Sequence, residues 1–348
     1  MTAETGPLFS ICIPYYNVDE EMLKECLGFV SSQSFDDFEA IVVDDGSDWR
    51  HANLLDRIVD GLGDDRFGVL HVSHAGLYEA RRSAYRVARG EYIVNLDSDD
   101  RFFDDRALGR LADALGYYSE PDVLMFNAAC DPEGRVLMVD HRRLWGGRTG
   151  LSPMEFLEVF DGTYAVNSIF LKCFKRGLAK KVTCDAPGLV MCEDRLHTIQ
   201  IIPNAASITI LDDVLIYYRQ NDESSVHRAF EYAVLEQQEL VERCVMDALR
   251  GLGFSDLDMN ARLKWIVGDL LAVRGTIPDK DERFDLYRRI GASDYFTGCW
   301  SEHASVLPHP DAVLLSALLF RGSLPVLDAL LLLRLRCASA IKSLLRRF

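Results

Sequence analysis

The chain has 348 residues, 49% of them hydrophobic and 26% charged, with 24 Gly and 11 Pro, which excludes collagen-like, disordered and low-complexity classes. Lys and Arg number 38 against 54 Asp and Glu, and the formal charge of -16 repels a polyphosphate backbone, so nucleic acid is not an expected partner. The length suits a main domain with an appendage.

Leu8–Ile13 is rich in β-formers and predicts a strand that stops at Pro14. Met22, Cys26, Leu27, Phe29 and Val30 recur at helical spacing over 19–33. Phe38–Val43 predicts a second strand running into the turn residues Asp44-Asp45-Gly46-Ser47. A helix over 50–61, a strand over 67–72 and a helix over 77–88 follow. Glu91–Leu96 predicts a fourth strand, ending in Asp97-Ser98-Asp99-Asp100. Strands alternating with helices predict an α/β fold around a mostly parallel sheet, with ligands outside the carboxyl ends of the strands. Pro14–Asn17, Asp44–Ser47 and Asp97–Asp100 all fall at such ends.

The middle, 122–225, reads as irregular. It holds an expected hairpin of Val123–Asn127 with Arg135–Val139, and short strands at 207–210 and 214–218. From 226 the pattern is helical, with segments near 227–250, 256–275, 281–290 and 311–347. Residues 1–225 are therefore the expected α/β domain and 226–348 a helical region. The nine cysteines are odd in number and no two are spaced Cys-x-x-Cys, which points to a reducing compartment. The first residues lack a signal-peptide pattern, and no apolar run is long enough to span a bilayer, so a cytoplasmic place is expected.

Asp97 and Asp99, two residues apart beyond an apolar strand, can both face one Mg²⁺ or Mn²⁺, hard cations that take oxygen ligands and substrate phosphates. The bland alternative is a solvated acidic turn. Asp44 or Asp45 can accept from a nucleobase or ribose, while Ser47 or Asp48 caps the next helix. No Gly-x-Gly-x-x-Gly and no Gly-x-x-x-x-Gly-Lys-Ser/Thr occurs, which removes the main support for dehydrogenases and P-loop NTPases.

Ser10–Asn17, Ile41–Ser47, Gly76 with Ala80-Arg81, and Gly90–Asp100, in that order and spacing, resemble the family 2 glycosyltransferases of the GT-A fold. The resemblance continues through Asn167–Arg176, Cys192-Glu193-Asp194-Arg195 and Leu215–Gln220. It implies a Rossmann-like, mostly parallel sheet that binds a nucleoside diphosphate sugar. It implies that Pro14, Tyr16 and Asn17 line the nucleotide pocket, with Asp44 or Asp45 on the base or ribose. It places Arg81 near the diphosphate, Asp97 and Ser98 against the ribose or donor sugar, and Asp99 with Asp97 on Mn²⁺ or Mg²⁺. Asp194 is the implied general base, with Glu193 next, and His227 a weaker metal candidate. The bland reading of Asp194 is a cap for a helix over 195–202. Arg82 stands where the family often has Asn, and no Gln-x-x-Arg-Trp occurs, the motif of processive synthases.

The expected activity is inverting, non-processive transfer from a UDP-sugar to a hydroxyl of a surface glycan or lipid-linked acceptor. A non-catalytic nucleotide-binding scaffold and a nucleotidyltransferase are the alternatives. In the tail, Arg321, Arg334, Arg336, Lys342, Arg346 and Arg347 face only Asp328, among leucine clusters. Such a helix over 321–348 reads either as lying on an anionic membrane surface or as packed on the body or a second subunit.

Overall fold

The computed structural model describes residues 6–220, 232–302 and 310–345. The expected boundary at 225/226, with Ser224, Ser225 and His227, lies outside the described residues, as do Arg346 and Arg347. The chain divides into two compact units, Met1–Phe160 with Tyr164–Asn221, and Asp161–Thr163 with Asp222–Phe348.

The first unit opens with β1 (Phe9–Tyr15), α1 (Glu20–Ser31), β2 (Phe38–Asp45), α2 (Trp49–Leu62), β3 (Phe67–Val72), α3 (Leu77–Val87) and β4 (Tyr92–Asn95). It continues with β5 (Arg101–Phe102), α4 (Ala107–Tyr117), β6 (Val123–Ala129), α5 (His141–Leu144), β7 (Gly150–Leu151) and α6 (Pro153–Gly162). Then come β8 (Lys172–Lys175), α7 (Arg176–Ala179), α8 (Glu193–Ile201) and β9 (Ile208–Tyr217). The sheet runs β3-β2-β1-β4-β8-β6-β9-β5, with β7 paired to β9. β3, β2, β1 and β4 are mutually parallel, and β8 enters antiparallel between β4 and β6. This is an α/β fold of mixed, mostly parallel kind. Phe9, Ile11, Ile13, Val94, Leu124 and Phe126 bury completely among the helices that cover the sheet. Near-continuous apolar strands are what a two-sided parallel sheet requires.

Three expectations are corrected. Pro14 does not end β1, which runs to Tyr15 with Pro14 beside Val43 of β2. Cys12 O accepts from Leu96 just past the end of β4, so two residues on, the missing Pro14 N–H faces the side where β4 has stopped. The hairpin does not form either. Arg135–Val139 makes only the isolated bridge Ala129↔Leu137, and β6 pairs instead with β8 and β9. The two short strands near 210 and 216 are one strand, β9, whose pairing with β6 shifts register around Asn127. All nine cysteines are free thiols.

The second unit is helical among its described residues: α9 (Tyr232–Gly251), α10 (Met259–Thr276), α11 (Lys280–Ala292), α12 (Asp294–Glu302), α13 (Pro310–Phe320) and α14 (Leu324–Leu345). The single expected helix over 311–347 is thus two, broken at Gly322, whose φ of 68° suits a residue without Cβ. Leu324, Leu327 and Leu331 bury one face of α14 in this unit's core. Asp328 on that face receives Arg283 at 2.9 Å, Arg274 at 3.2 Å and the Tyr287 hydroxyl at 3.0 Å. The start of the basic tail is therefore packed, while Val326 and Leu333 remain exposed. Among the described residues no helix is long and apolar enough to cross a membrane.

Candidate active site

The carboxyl ends of β1, β2 and β4 carry the three polar clusters to one rim. Asn17 adopts the left-handed region (φ 50°), and its amide donates to Ser47 Oγ at 3.0 Å while its Oδ1 accepts from Asp48 N at 3.0 Å. The Pro14–Asn17 and Asp44–Asp48 turns are thereby tied together. Asp48 caps α2, accepting from the amides of Arg50 and His51. Tyr16 follows β1 as an exposed ring stacked on His74, with centroids 4.3 Å apart.

The two carboxylates after β2 divide their work. Asp45 is buried and accepts from the amides of Ala75 and Gly76 at 2.8 Å each. It satisfies the start of α3, where Gly76 offers no side-chain cap. Asp44, equally buried, accepts from Ser47 N at 2.9 Å and pairs with His71 Nδ1 at 2.7 Å. That contact, with Asp56 beyond it, raises the His71 pKa. Asp45 is thus occupied in shaping the loop, and each carboxylate also meets a half-exposed histidine, Asp44 with His71 at 2.7 Å and Asp45 with His74 at 2.9 Å.

Gly76 (φ +91°) has no room for a Cβ, which would lie 2.8 Å from the Leu189 carbonyl. The close approach lets the 188–189 segment dock on α3, with Gly188 N donating to Ala75 O. Four residues later Cys192, at φ 62°, turns the chain into α8. Glu193 and Asp194 are the first residues of that helix and Cys192 its cap, so the capping reading of Asp194 does not hold.

These local choices converge on Arg81. Its side chain is 1% exposed and is held by three carboxylates: Asp97 at 2.7 Å, Asp194 at 2.8 Å and Glu193 at 3.3 Å. Burial works against its charge, yet the three anions hold it well above the ordinary arginine value. Burial pushes the Asp194 carboxyl up, with Arg81 pulling it back. Glu193 is raised by burial and by Asp194 beside it. Both remain partly open to solvent, at 12% for Glu193 and 20% for Asp194. Arg81, expected beside a diphosphate, instead lies beneath the rim with its guanidinium engaged by these side chains.

Beyond β4, Ser98 and Asp100 are buried. Burial, and then Asp97, push the Asp99 pKa up to about 6. Asp100 is raised further by burial, Asp99 and Asp97. The neighbouring negative charges thus oppose the ionisation of Asp99 and Asp100, because like charges close together resist joint ionisation.

Residues 10–174 match the profile described as Glycosyl transferase family 2. The chain carries a family 2 glycosyltransferase domain. A PGL/p-HBAD biosynthesis glycosyltransferase of Mycobacterium bovis (strain BCG / Pasteur 1173P2) is 30% identical over 151 residues, 43% of this chain and 55% of its own length. Glycosyltransferase GlyG of Streptococcus pneumoniae serotype 4 is 35% identical over 94 residues, 27% of this chain and 30% of its own. The chain thus spans about half the length of the first curated relatives it matches. Among solved structures, S. aureus TarS 1–349 in complex with UDP-GlcNAc superposes with a TM-score of 0.58 at 19% identity, covering 92% of this chain and 89% of that one. That likeness is one of fold, the GT-A fold.

One side chain at the rim, beyond the residues that match the family profile, is not among the expected site residues. Arg219, just past β9, donates its amide to Asp100 Oδ1 at 2.8 Å and its Nε to Asp99 O at 3.0 Å, and its guanidinium meets Glu25. It pins the acidic loop from β9, the strand paired with β5. Its only sequence signal was a place in the Leu215–Gln220 stretch, with nothing to pair it to residues 119 positions earlier.

Proposed function

We propose that this chain transfers one sugar per encounter, hexosyl or N-acetylhexosaminyl, from a nucleoside diphosphate donor to a hydroxyl of a cell-surface glycan or lipid-linked acceptor, with inversion. The observation that carries the reading is the Arg81 guanidinium joining Asp97, past β4, to Asp194, at the start of α8. A donor-side carboxylate and a basic carboxylate then stand on one rigid hub, the arrangement in-line displacement needs. UDP is the favoured nucleotide because the TarS structure of like fold holds UDP-GlcNAc.

Tyr16, backed by His74, offers a flat apolar face to a nucleobase, and Pro14 and Asn17 shape the turn beneath it. Asp44 serves the ribose side, and Asp97 with Ser98 the ribose and donor sugar. Asp194 removes the proton from the attacking hydroxyl. It is the member of the pair more readily ionised, and so open to accept a proton, because it lies 0.5 Å nearer Arg81 (2.8 against 3.3 Å) and the guanidinium favours its ionised form more. Glu193 then holds a proton more readily and is the second candidate.

Asp97 and Asp99 fit Mn²⁺ or Mg²⁺. Among the described residues no three His, Cys, Asp or Glu are grouped to hold a metal. A site of two carboxylates suits these cations, which take the remaining ligands from substrate phosphates and water. The bound cation supplies charge neutralisation to the leaving diphosphate. The leucine-rich α14, with Val326 and Leu333 exposed and Arg336 on its surface, supports a peripheral place at an anionic membrane in the cytoplasm.

The test is calorimetry of UDP, GDP, dTDP and CDP, each with and without Mn²⁺ or Mg²⁺. Metal-dependent binding of UDP alone supports the reading. Failure of every nucleotide to bind in any condition overturns it, and binding without hydrolysis or transfer leaves the scaffold alternative.

A further inference from the structure

Lys172 is the first residue of β8, in register with Met125 of β6, and its side chain is completely buried. Its ammonium contacts no carboxylate among its hydrogen-bond partners. It donates instead to three consecutive backbone carbonyls, Val166 at 2.8 Å, Asn167 at 3.3 Å and Ser168 at 2.8 Å. An ammonium has three N–H donors and no acceptor, so this set uses all of its capacity. A buried charge held only by neutral groups is expensive and calls for a reason.

The carbonyls belong to the turn that precedes the 3-10 segment Ile169–Leu171. The same turn is gripped from α8. Thr198 Oγ1 donates to Asn167 O at 2.7 Å, and Arg195 reaches Asn167 Oδ1 at 3.2 Å. The backbone at Ile169, next after the gathered carbonyls, lowers the Asp194 pKa against the burial that raises it, and Arg195 and Thr198, which grip the turn, stand on the helix that Asp194 begins. Burial draws the Lys172 pKa down to about 7, and the Asp194 charge is what opposes the fall.

We propose that Lys172 is a positioning residue for Asp194: it gathers the 166–168 carbonyls so that the Ile169 amide is presented to the carboxylate, and it adds a positive charge behind it. The inference rests on Asp194 being the base. The alternative is that Lys172 merely staples a loop.

The experiment compares wild type with Lys172→Met, which keeps length and removes the donors, and with Thr198→Val, which loosens the same turn from α8 should the first variant not fold. Three readings are taken on the full chain: calorimetric affinity for UDP with Mn²⁺, kcat and KM for UDP-GlcNAc consumption, and hydrogen exchange of the Ile169 amide. Positioning predicts a kcat loss of about tenfold or more, part of what a general base supplies. Donor affinity and KM stay unchanged, and exchange at Ile169 is faster than in wild type. Unchanged kcat and unchanged Ile169 exchange overturn the proposal, as does a loss of UDP affinity equal to the loss of kcat. If wild type consumes no nucleotide sugar, the functional reading fails by itself. The exchange of Ile169 then decides the positioning: acceleration supports it and protection equal to wild type refutes it.

Discussion

Arg81 Nη1 lies 2.8 Å from the Asp194 carboxylate although 113 positions separate the two residues in the chain. The same guanidinium reaches Asp97 at 2.7 Å. One buried cation therefore sets the distance between the donor end of the sheet and the first turn of α8.

Arg81→Met leaves three carboxylates facing one another with no counter-charge. Removing one partner of a buried ionic cluster costs about 3–5 kcal/mol, and that loss is expected in urea unfolding at neutral pH. Arg81→Lys keeps the charge but cannot fork to three acceptors, so it is expected to retain the fold and lose most turnover. Wild-type stability in Arg81→Met would show that the cluster is not a hub.

Asp194→Asn removes the proposed base while leaving the proposed donor side in place. Turnover is expected to fall by roughly 10²–10⁴ with UDP affinity unchanged. Glu193→Gln is expected to lose far less. If the two variants exchange these behaviours in steady-state kinetics, the base is Glu193.

The proposed metal binding takes its pH dependence from Asp99. Its pKa of about 6 stands above that of an ordinary carboxylate. A raised carboxyl favours folding below its unfolded value, near about 4, and that contribution is lost as pH rises to about 6. A cation takes only the ionised form. Mn²⁺ affinity should thus be flat above pH about 6 and weaken by up to about tenfold per unit below it. Calorimetric titration at several pH values reads this, and a profile in Asp99→Asn identical to wild type would remove Asp99 from the site.

Tyr16→Ala tests the nucleotide platform without touching the core, since the ring is exposed. Base stacking on an aromatic is worth about 1–3 kcal/mol, so UDP affinity should drop by roughly ten- to a hundredfold while the melting temperature holds. Affinity equal to wild type would move the base elsewhere on the rim.

The C-terminal helix needs a gentler probe than truncation, because removing α14 takes Leu327 and Leu331 out of the core. Leu327→Ala should cost about 2–5 kcal/mol on its own. Val326→Glu with Leu333→Glu changes only exposed positions and should abolish sedimentation with anionic liposomes at unchanged stability. Liposome binding that survives the pair takes these two side chains out of the contact, and its absence from wild type argues against the membrane.

Much of this was readable in order along the chain. The β1-to-β4 alternation, the acidic turns after β2 and β4, and the Glu-Asp pair at 193 and 194 were legible because each depends on neighbours within a few residues. The elements that failed depend on distant partners. Arg135–Val139 has strand-like composition, but β6 already has β8 and β9 on its two sides. Asp44 and Asp45 are chemically identical in sequence, and only the arrival of Ala75 and Gly76 assigns Asp45 to backbone amides. Nothing local in the leucine-rich tail says which leucines meet the core.

The sequence by itself determined the alternating architecture, the residue types at the strand ends and their order, because hydrophobic period and turn chemistry are local properties. The tertiary structure alone decided what the charges do. It put Arg81 under three carboxylates, Arg219 on the acidic loop and Lys172 among three carbonyls, because the energy of a buried charge depends on groups the fold gathers within about 4 Å, whatever their separation along the chain.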